Sequence, residues 1–516
     1  MTTLHVRRWG IGTIAVLALG ATATGCSPTP DGGNSSGGAA QIVVARTADV
    51  DVLDPARVTA FATNQTLALV YDTLVDTDAS GKLVPGLATK WTVGKDGKSI
   101  RFTLRDGVKF HNGAPLTSAD AKATLDRVLD PKTASVDASY LSNVAKVAAP
   151  DPHTLTLTLK RPDASLLTAL TYTGTSILST ADIKARTVAK KPNGTGPYRW
   201  KTWKQGEELD LAANRHYWNG APRNGGIQFR VIPDESSIVS GMKAGSFSLG
   251  LVSDPALARQ LKKNAKAGVV ANPTLDYHVL QLNGRRGPLR SAAVRRAISC
   301  AIDRQKAIDS VYFGQASPTG PITSQAYQSS ATDGLGCRLG DTAAAKKMLA
   351  KAGYAKGFHL KTIVMTGQYS TSTNLAQVLQ SQLAKIGVKL DLDRQETNVY
   401  VPNWSKANFD AAVALNAGSN DPYLQYNRYF LSDGSLTTPA GLTDKKLDSL
   451  LRKANDSTDQ EVRKQTFREF QQRMLTDSPW VWLFRNQTYY VQNPKMTGFA
   501  PTPSDSLDNL RNTSLR

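Results

Sequence analysis

The chain has 516 residues, with 41% apolar, 7% aromatic and 20% charged side chains, a globular balance that excludes disordered and fibrous classes. A mean hydropathy of -0.30 with one short apolar run excludes a multi-span membrane protein. Lys+Arg 62 against Asp+Glu 42 gives a net charge of +20, and the length allows about two to four compact units.

Arg7 and Arg8 form a short cationic start, followed by an apolar run from Ile11 to Ala23. At 1.5 Å per residue this run reaches roughly 20 Å, short of a hydrocarbon core of about 30 Å. It therefore reads as a secretory signal, residues 1–25, that is removed on export. Ala23-Thr24-Gly25-Cys26 then looks like a bacterial lipobox, which predicts a diacylglycerol on Cys26. Residues 26–40 are rich in Gly, Ser and Pro without apolar periodicity and read as a flexible tether. With Cys26 lipidated, Cys300 and Cys337 remain in an oxidising compartment, as a disulfide or as two separate buried thiols.

The body opens with a strand at Gln41–Ala45. Helical spacing with an Asn cap predicts a helix over Asn64–Val75. Strict alternation predicts strands at Ser99–Leu104 and Thr154–Leu159, flanking a capped amphipathic helix at Ser118–Leu129. Beyond a Pro/Gly break at Pro192–Pro197, strands are predicted at Tyr198–Trp200, Leu209–Ala212, Ile227–Ile232 and Tyr277–Leu282. Helices are predicted at Glu235–Lys243, Pro255–Lys263, Ala292–Val311, Ala343–Ala352, Asn374–Ile386 and Glu461–Thr476. Further strands fall at Leu360–Met365, Val388–Leu392, Asp410–Leu415, Val481–Phe484 and Tyr489–Gln492. Helices and strands mingle throughout, which implies α/β or α+β layers and neither a bundle nor a sandwich.

One segment, Asp96 to Ala121 (DGKSIRFTLRDGVKFHNGAPLTSADA), resembles the signature of the extracellular solute-binding proteins of ABC importers, family 5. The likeness continues in order through Asp54-Pro55, Tyr71 to Val75, Val84 to Ala88, Gly194 to Tyr198, Asn214 with Tyr217-Trp218, Val294 to Ile298 with Ala301 to Arg304, Ala345 to Tyr354, Gln382 to Val388 and Asn493 to Gly498. It implies a two-lobed clamshell of the periplasmic-binding-protein type II, with an additional domain in the first lobe. By position, the first lobe comprises 41–77, 193–280 and 488–516, the additional domain 78–192, and the second lobe 281–487. The implied function is capture of a peptide-like or other small solute and its delivery to an ABC permease and its ATPase. The protein would be a monomer, exported and lipid-anchored to the outer face of the cytoplasmic membrane. An anchored sensory or chaperone-like binding protein without a permease is the alternative. Locally, Asn112-Gly113 reads as turn chemistry and Asp303-Arg304 as an ion pair on a helix.

No catalytic constellation is present. His111, His153, His216, His278 and His359 are solitary, and H-E-x-x-H, G-x-S-x-G, P-loop and C-x-x-C patterns are missing, so neither an enzyme, a metal site nor a cofactor is expected. Basic residues are scattered in pairs such as Lys262-Lys263 and Arg295-Arg296 without a nucleic-acid-binding motif, which points to the anionic envelope and not to nucleic acid.

In peptide-binding members of the family, an aspartate three residues before a D-P or E-P step holds the peptide amine, and a tryptophan precedes it. Here the step is Asp421-Pro422, and those positions hold Gly418 and Leu415. Unmodified peptides are therefore predicted to bind weakly, and Gly418→Asp to increase their affinity provided the backbone there tolerates a side chain. The resemblance also places Glu396, Thr397, Asn398 and Tyr400 in a cleft-lining loop, with Tyr423 and Trp404 adding aromatic surface. Those aromatics read equally well as second-lobe core.

Overall fold

Two long antiparallel strands, Gly268–Leu282 and Trp480–Gln492, run through the middle of a ten-stranded sheet. In this computed structural model the described residues are 39–261, 267–329, 332, 334–366 and 370–516. The predicted signal segment, Cys26 and nearly all of the tether lie outside them, as do the side chains of Thr397 and Asn398.

The two long strands serve both halves of the sheet. Residues 268–273 pair with 492–487, and on that side Leu249–Val252, Ile42–Arg46, Gly226–Val231, Glu208–Ala213 and Tyr198–Lys204 follow in order. Residues 277–282 pair on their other edge with Ala411–Asn416, beyond which lie Phe358–Thr366 and Val388–Glu396. Ile42–Arg46 is parallel to both its neighbours, as is Phe358–Thr366. A separate antiparallel sheet, in the order Ala88–Val93, Ser99–Leu104, Thr154–Leu159, Val144–Asp151, carries the helix Ser118–Leu129. Phe102, Leu125, Leu155 and Leu157 fill the core between that sheet and helix. A second core packs Val294, Ile298, Ile308 and Leu379 of the helices against Leu280, Val364 and Val413 of the large sheet. The architecture is mixed α/β, with helices packed on a large sheet whose two halves share the long strands.

Several predicted elements match their observed bounds, and the helix Ser118–Leu129 is identical. Asp120 accounts for its start, accepting the Thr117 N–H at 2.9 Å. Others differ for identifiable reasons. The first helix is Phe61–Ala68, and Asn64 sits inside it, bonded through its side chain to the Ala60 carbonyl at 3.2 Å, so it is not the cap. The predicted helix 292–311 is two helices, Ala292–Ala301 and Arg304–Tyr312, because Asp303 accepts the Lys306 N–H at 3.0 Å and starts a new one. Asp303 pairs with Lys306, and Arg304 turns inward to the Thr319 carbonyl, which replaces the predicted Asp303-Arg304 pair. The two short strands predicted near the C-terminus are one strand of 13 residues. The segment after Leu392 is not a loop: its strand continues to Glu396 and the helix Thr397–Ser405 follows at once. Cys300 and Cys337 are joined as a disulfide, with Cα atoms 6.0 Å apart.

Candidate functional site

The long strand pair breaks register at its centre. Pro273 faces Gln487 and Tyr277 faces Arg485, so Thr274, Leu275 and Asp276 bulge opposite Asn486. A bulge bends a strand and re-aims its side chains, and such irregularities are common beside functional sites. This one is held from three sides. The Leu275 N–H donates to the Pro503 carbonyl at 3.0 Å. Arg485 donates to the carbonyls of Thr274 (2.7 Å) and Pro273 (3.2 Å). The Gly418 N–H donates to Asp276 Oδ1 at 3.0 Å.

Asp276 therefore stands where the hinge strands, the segment after Asn416 and the C-terminal segment 502–505 meet. The hairpin loop Asp78–Gly81 meets the same two segments: Thr77, Asp78, Gly81, Asn420, Thr502 and Pro503 line a narrow cleft, which Asp276 does not line. The Tyr172 hydroxyl and Ser419 Oγ, next to Asn420 in sequence, are 2.8 Å apart. Gly81 has φ +81°, a conformation that favours glycine, and a Cβ there would press on the tip of the Asn420 side chain at 2.6 Å.

The electrostatics of the seam are unbalanced. Asp276 is ringed by protein yet keeps part of its surface open, and Gly418 supplies its one hydrogen bond among the described residues. Burial pushes its carboxyl up to about 7; the Gly418 N–H and Arg485 oppose that rise and Asp505 adds to it. Asp505 is itself raised by burial but accepts three hydrogen bonds, from Tyr490 (2.7 Å), Asn272 (3.2 Å) and Thr488 (3.2 Å).

Gly418 occupies a seat with no room for a side chain. A Cβ there would stand 2.0 Å from the Leu275 carbonyl oxygen and 2.6 Å from Thr323 Oγ1. The condition set on Gly418→Asp is therefore not met, since the bulge fills the space a side chain would need. The carboxylate beside this position comes from the neighbouring strand, as Asp276, which reasoning from position 418 alone missed.

The other predicted site residues divide into two groups. Strands 358–366, 388–396 and 411–416 run parallel and end at one edge, bringing Thr366, Glu396 and Asn416 to the edge beside the bulge. Ligands of open α/β sheets bind outside such carboxyl ends. Glu396 is exposed there and accepts from Thr366 Oγ1 at 2.8 Å. At about 4.8 Å per strand it lies roughly 14 Å from the strand of Asp276. The second group is interior. Tyr400 packs against Ile363, Phe409 and Ala412 and donates to the Val413 carbonyl at 3.3 Å. Trp404 donates to Gln281 Oε1 at 2.6 Å. Tyr423 is buried in the cluster shared with the four-stranded sheet. Asp421 caps the helix Pro422–Phe430 by accepting the Tyr423 N–H at 2.9 Å and pairs with Arg463 at 2.5 Å, both side chains being buried.

Two lobes joined by shared strands, with polar groups converging at the crossing, define a solute-binding protein of the clamshell type. The chain belongs to the bacterial extracellular solute-binding proteins, family 5, whose middle-region model matches residues 82–437, more than half its length. It is 28% identical over 499 residues to the glutathione-binding protein GsiB of Salmonella typhimurium, covering 90% of this chain and 93% of that protein. Among solved structures it is similar to AgaA of A. tumefaciens R10 in complex with agropinic acid, at 27% identity and TM-score 0.79, covering 92% of this chain and 99% of that one. It is also similar to DppA of Helicobacter pylori in complex with the peptide STSA, at 25% identity and TM-score 0.78, covering 92% and 98%. As a member of this family the chain is an extracytoplasmic binding protein that captures a solute and delivers it to an ABC importer.

Proposed function

We propose that the solute is small and peptide-like, and that it is held along the carboxyl-end edge that runs from Glu396 to the hinge bulge. The observation carrying this reading is the convergence at one seam of the bulge 274–276, the segment 418–421, the loop 78–81 and residues 502–504. Similarity to a glutathione-binding relative and to a peptide complex supports the solute class. In this reading the first lobe is 41–77, 193–280 and 488–516, the additional domain 78–192 and the second lobe 281–487. The ligand-facing residues are Glu396, the Gly418 backbone and Asp276, with Thr397 and Asn398 at the same edge. Asp421, Tyr400 and Tyr423 shape the wall from behind. A lipid on Cys26 holds the monomeric receptor beside its permease and ATPase.

Native mass spectrometry of protein isolated from its own host tests the receptor reading. A co-purified small solute lost on mild unfolding is the expected result, and a chain that carries and binds no solute would overturn it. Cys26→Ala should release the protein into the medium or leave it unprocessed; unchanged membrane retention of a correctly cleaved variant removes the anchor from the proposal.

A further inference from the structure

Between Asp182 and Glu207 the chain carries seven lysines and arginines and no acid. The fold gathers part of this run at the outer edge of the large sheet, whose last strand is Tyr198–Lys204. Lys191, Arg199 and Trp200 line a recess of about 300 Å³ there. The one carboxylate in its wall, Asp182, is already engaged, accepting from Asn193 at 2.6 Å and from Thr187 at 3.2 Å. Lys191 and Lys201 are exposed and form no ion pair among the described residues.

The edge strand also carries two indoles. Its register against Glu208–Ala213 shifts at Lys201, since Trp200 faces Leu211 and Trp203 faces Leu209. That bulge puts both rings on one face, edge-on with centroids 6.2 Å apart and half-buried against the core of that half of the sheet. Protection of an open sheet edge accounts for Lys201 and the bulge. It does not account for Lys191, which the preceding segment brings to the same recess.

The chain enters the fold on this side. The Gly225 N–H donates to the Ala40 carbonyl at 3.0 Å, and Ile42 lies in one row with Ile227, Leu211 and Trp200. Three strand spacings of about 4.8 Å place Trp200 roughly 14 Å from the start of the first strand. Residues 26–40 span at most about 50 Å when fully extended, so a lipid on Cys26 keeps this part of the sheet close to the bilayer.

Resting on the anchor reading above, we infer that this basic, indole-bearing edge is the face the receptor lays on the membrane, and that the recess seats the phosphate of an anionic phospholipid headgroup. Lys191 and Arg199 supply the counter-charge. Arg199 spends Nε and Nη2 on Asn214, at 3.4 and 3.1 Å, which leaves Nη1 for a phosphate oxygen. Trp200 and Trp203 are amphipathic rings of the kind that settle at headgroup level. Docking by this edge fixes which way the receptor faces beside its permease.

The test is flotation of the mature chain, residues 26–516, made without lipid, on vesicles of phosphatidylcholine alone or mixed about 2:1 with phosphatidylglycerol. The chain should bind the mixed vesicles, less so as salt rises, and ignore the neutral ones. Lys191→Gln with Lys201→Gln should weaken that binding about 25-fold, at about five-fold per cation. Lys445→Gln with Lys446→Gln, at two equally exposed lysines on the helix Lys445–Asp456, should leave it nearly unchanged. All four positions are exposed, so the variants keep the fold. No binding to the mixed vesicles, or equal loss from both pairs, would overturn the inference. Inorganic phosphate that binds in calorimetry while vesicles do not would assign the recess to a free anion, with the same consequence. Slower uptake by the Lys191→Gln, Lys201→Gln variant without vesicle binding would assign the edge to an acidic protein partner and also overturn it. Because the assayed chain carries no lipid, a failure here leaves the anchor on Cys26 standing, and Cys26→Ala tests that anchor separately.

Discussion

Gly418 shows how one atom decides what a position can do. Its Cβ would overlap a backbone oxygen, which cannot swing away as a flexible side chain can. Gly418→Ala should therefore destabilise the protein by about 3 kcal/mol, or shift the bulge and weaken solute binding as well. Urea unfolding measures the first effect and titration the second; an alanine variant of native stability and affinity would refute the overlap. Asp276 behaves in the opposite way. Its folded pKa near 7 lies above the ordinary carboxylate value of 3.8, so the folded state holds the proton more tightly. That group's contribution to stability is present at low pH and is lost as pH rises through 7. Asp276→Asn should match the wild type at pH 4 and exceed it above pH 7, by about 1–3 kcal/mol after allowing for its partial solvent contact.

At the scale of elements, the disulfide ties the end of helix Ala292–Ala301 to the segment before helix Thr342–Lys351, across a separation of 37 residues. Loop-closure entropy for that span gives about 3–4 kcal/mol, so the double variant Cys300→Ala, Cys337→Ala should unfold at correspondingly lower denaturant. Equal midpoints with and without reductant would show that the bond is not formed in the folded protein. Elements whose signal is local were legible in the sequence. Helix Ser118–Leu129 has its cap, its acidic third position and its apolar stripe in one short stretch. Helix Lys445–Asp456, absent from the predicted elements, carries as clear a stripe in Leu447, Leu450, Leu451 and Ala454. The break between Ala301 and Arg304 was hidden because both helices share one apolar face. Strand Trp480–Gln492 was split in the reading because Arg485, Asn486 and Gln487 interrupt the apolar pattern, and these are the residues opposite the hinge bulge. The gap at position 418 was legible from the family pattern. Asp276 was not, because its role depends on a bulge that exists only through pairing with Arg485, Pro503 and Gly418, all distant in sequence.

On the scale of the whole molecule, capture requires the two lobes to part and meet, and the contacts that bridge them set the balance. Tyr172, in the region proposed as the additional domain, meets Ser419 at 2.8 Å. Nearby, the N–H groups of Ala164 and Ser165 donate to Asn455 at 2.8 and 3.1 Å. The four-stranded sheet and the segment from Tyr423 onward also share one apolar cluster. These contacts favour closure whether or not a solute is present, so each weakens when the lobes open. Tyr172→Phe removes one hydrogen bond and keeps the ring, which also stacks edge-on against Tyr140 with centroids 5.6 Å apart. A net contribution of about 1 kcal/mol corresponds to roughly a five-fold shift toward the open form. Because the bond forms after encounter, the change should fall on dissociation: about five-fold faster release with association little altered. Stopped-flow kinetics with glutathione or trialanine separates the two rates, and small-angle scattering of the ligand-free variant should report a larger radius of gyration. Unchanged release, or slower association alone, would mean that closure is governed by the hinge strands and not by the bridge at Tyr172.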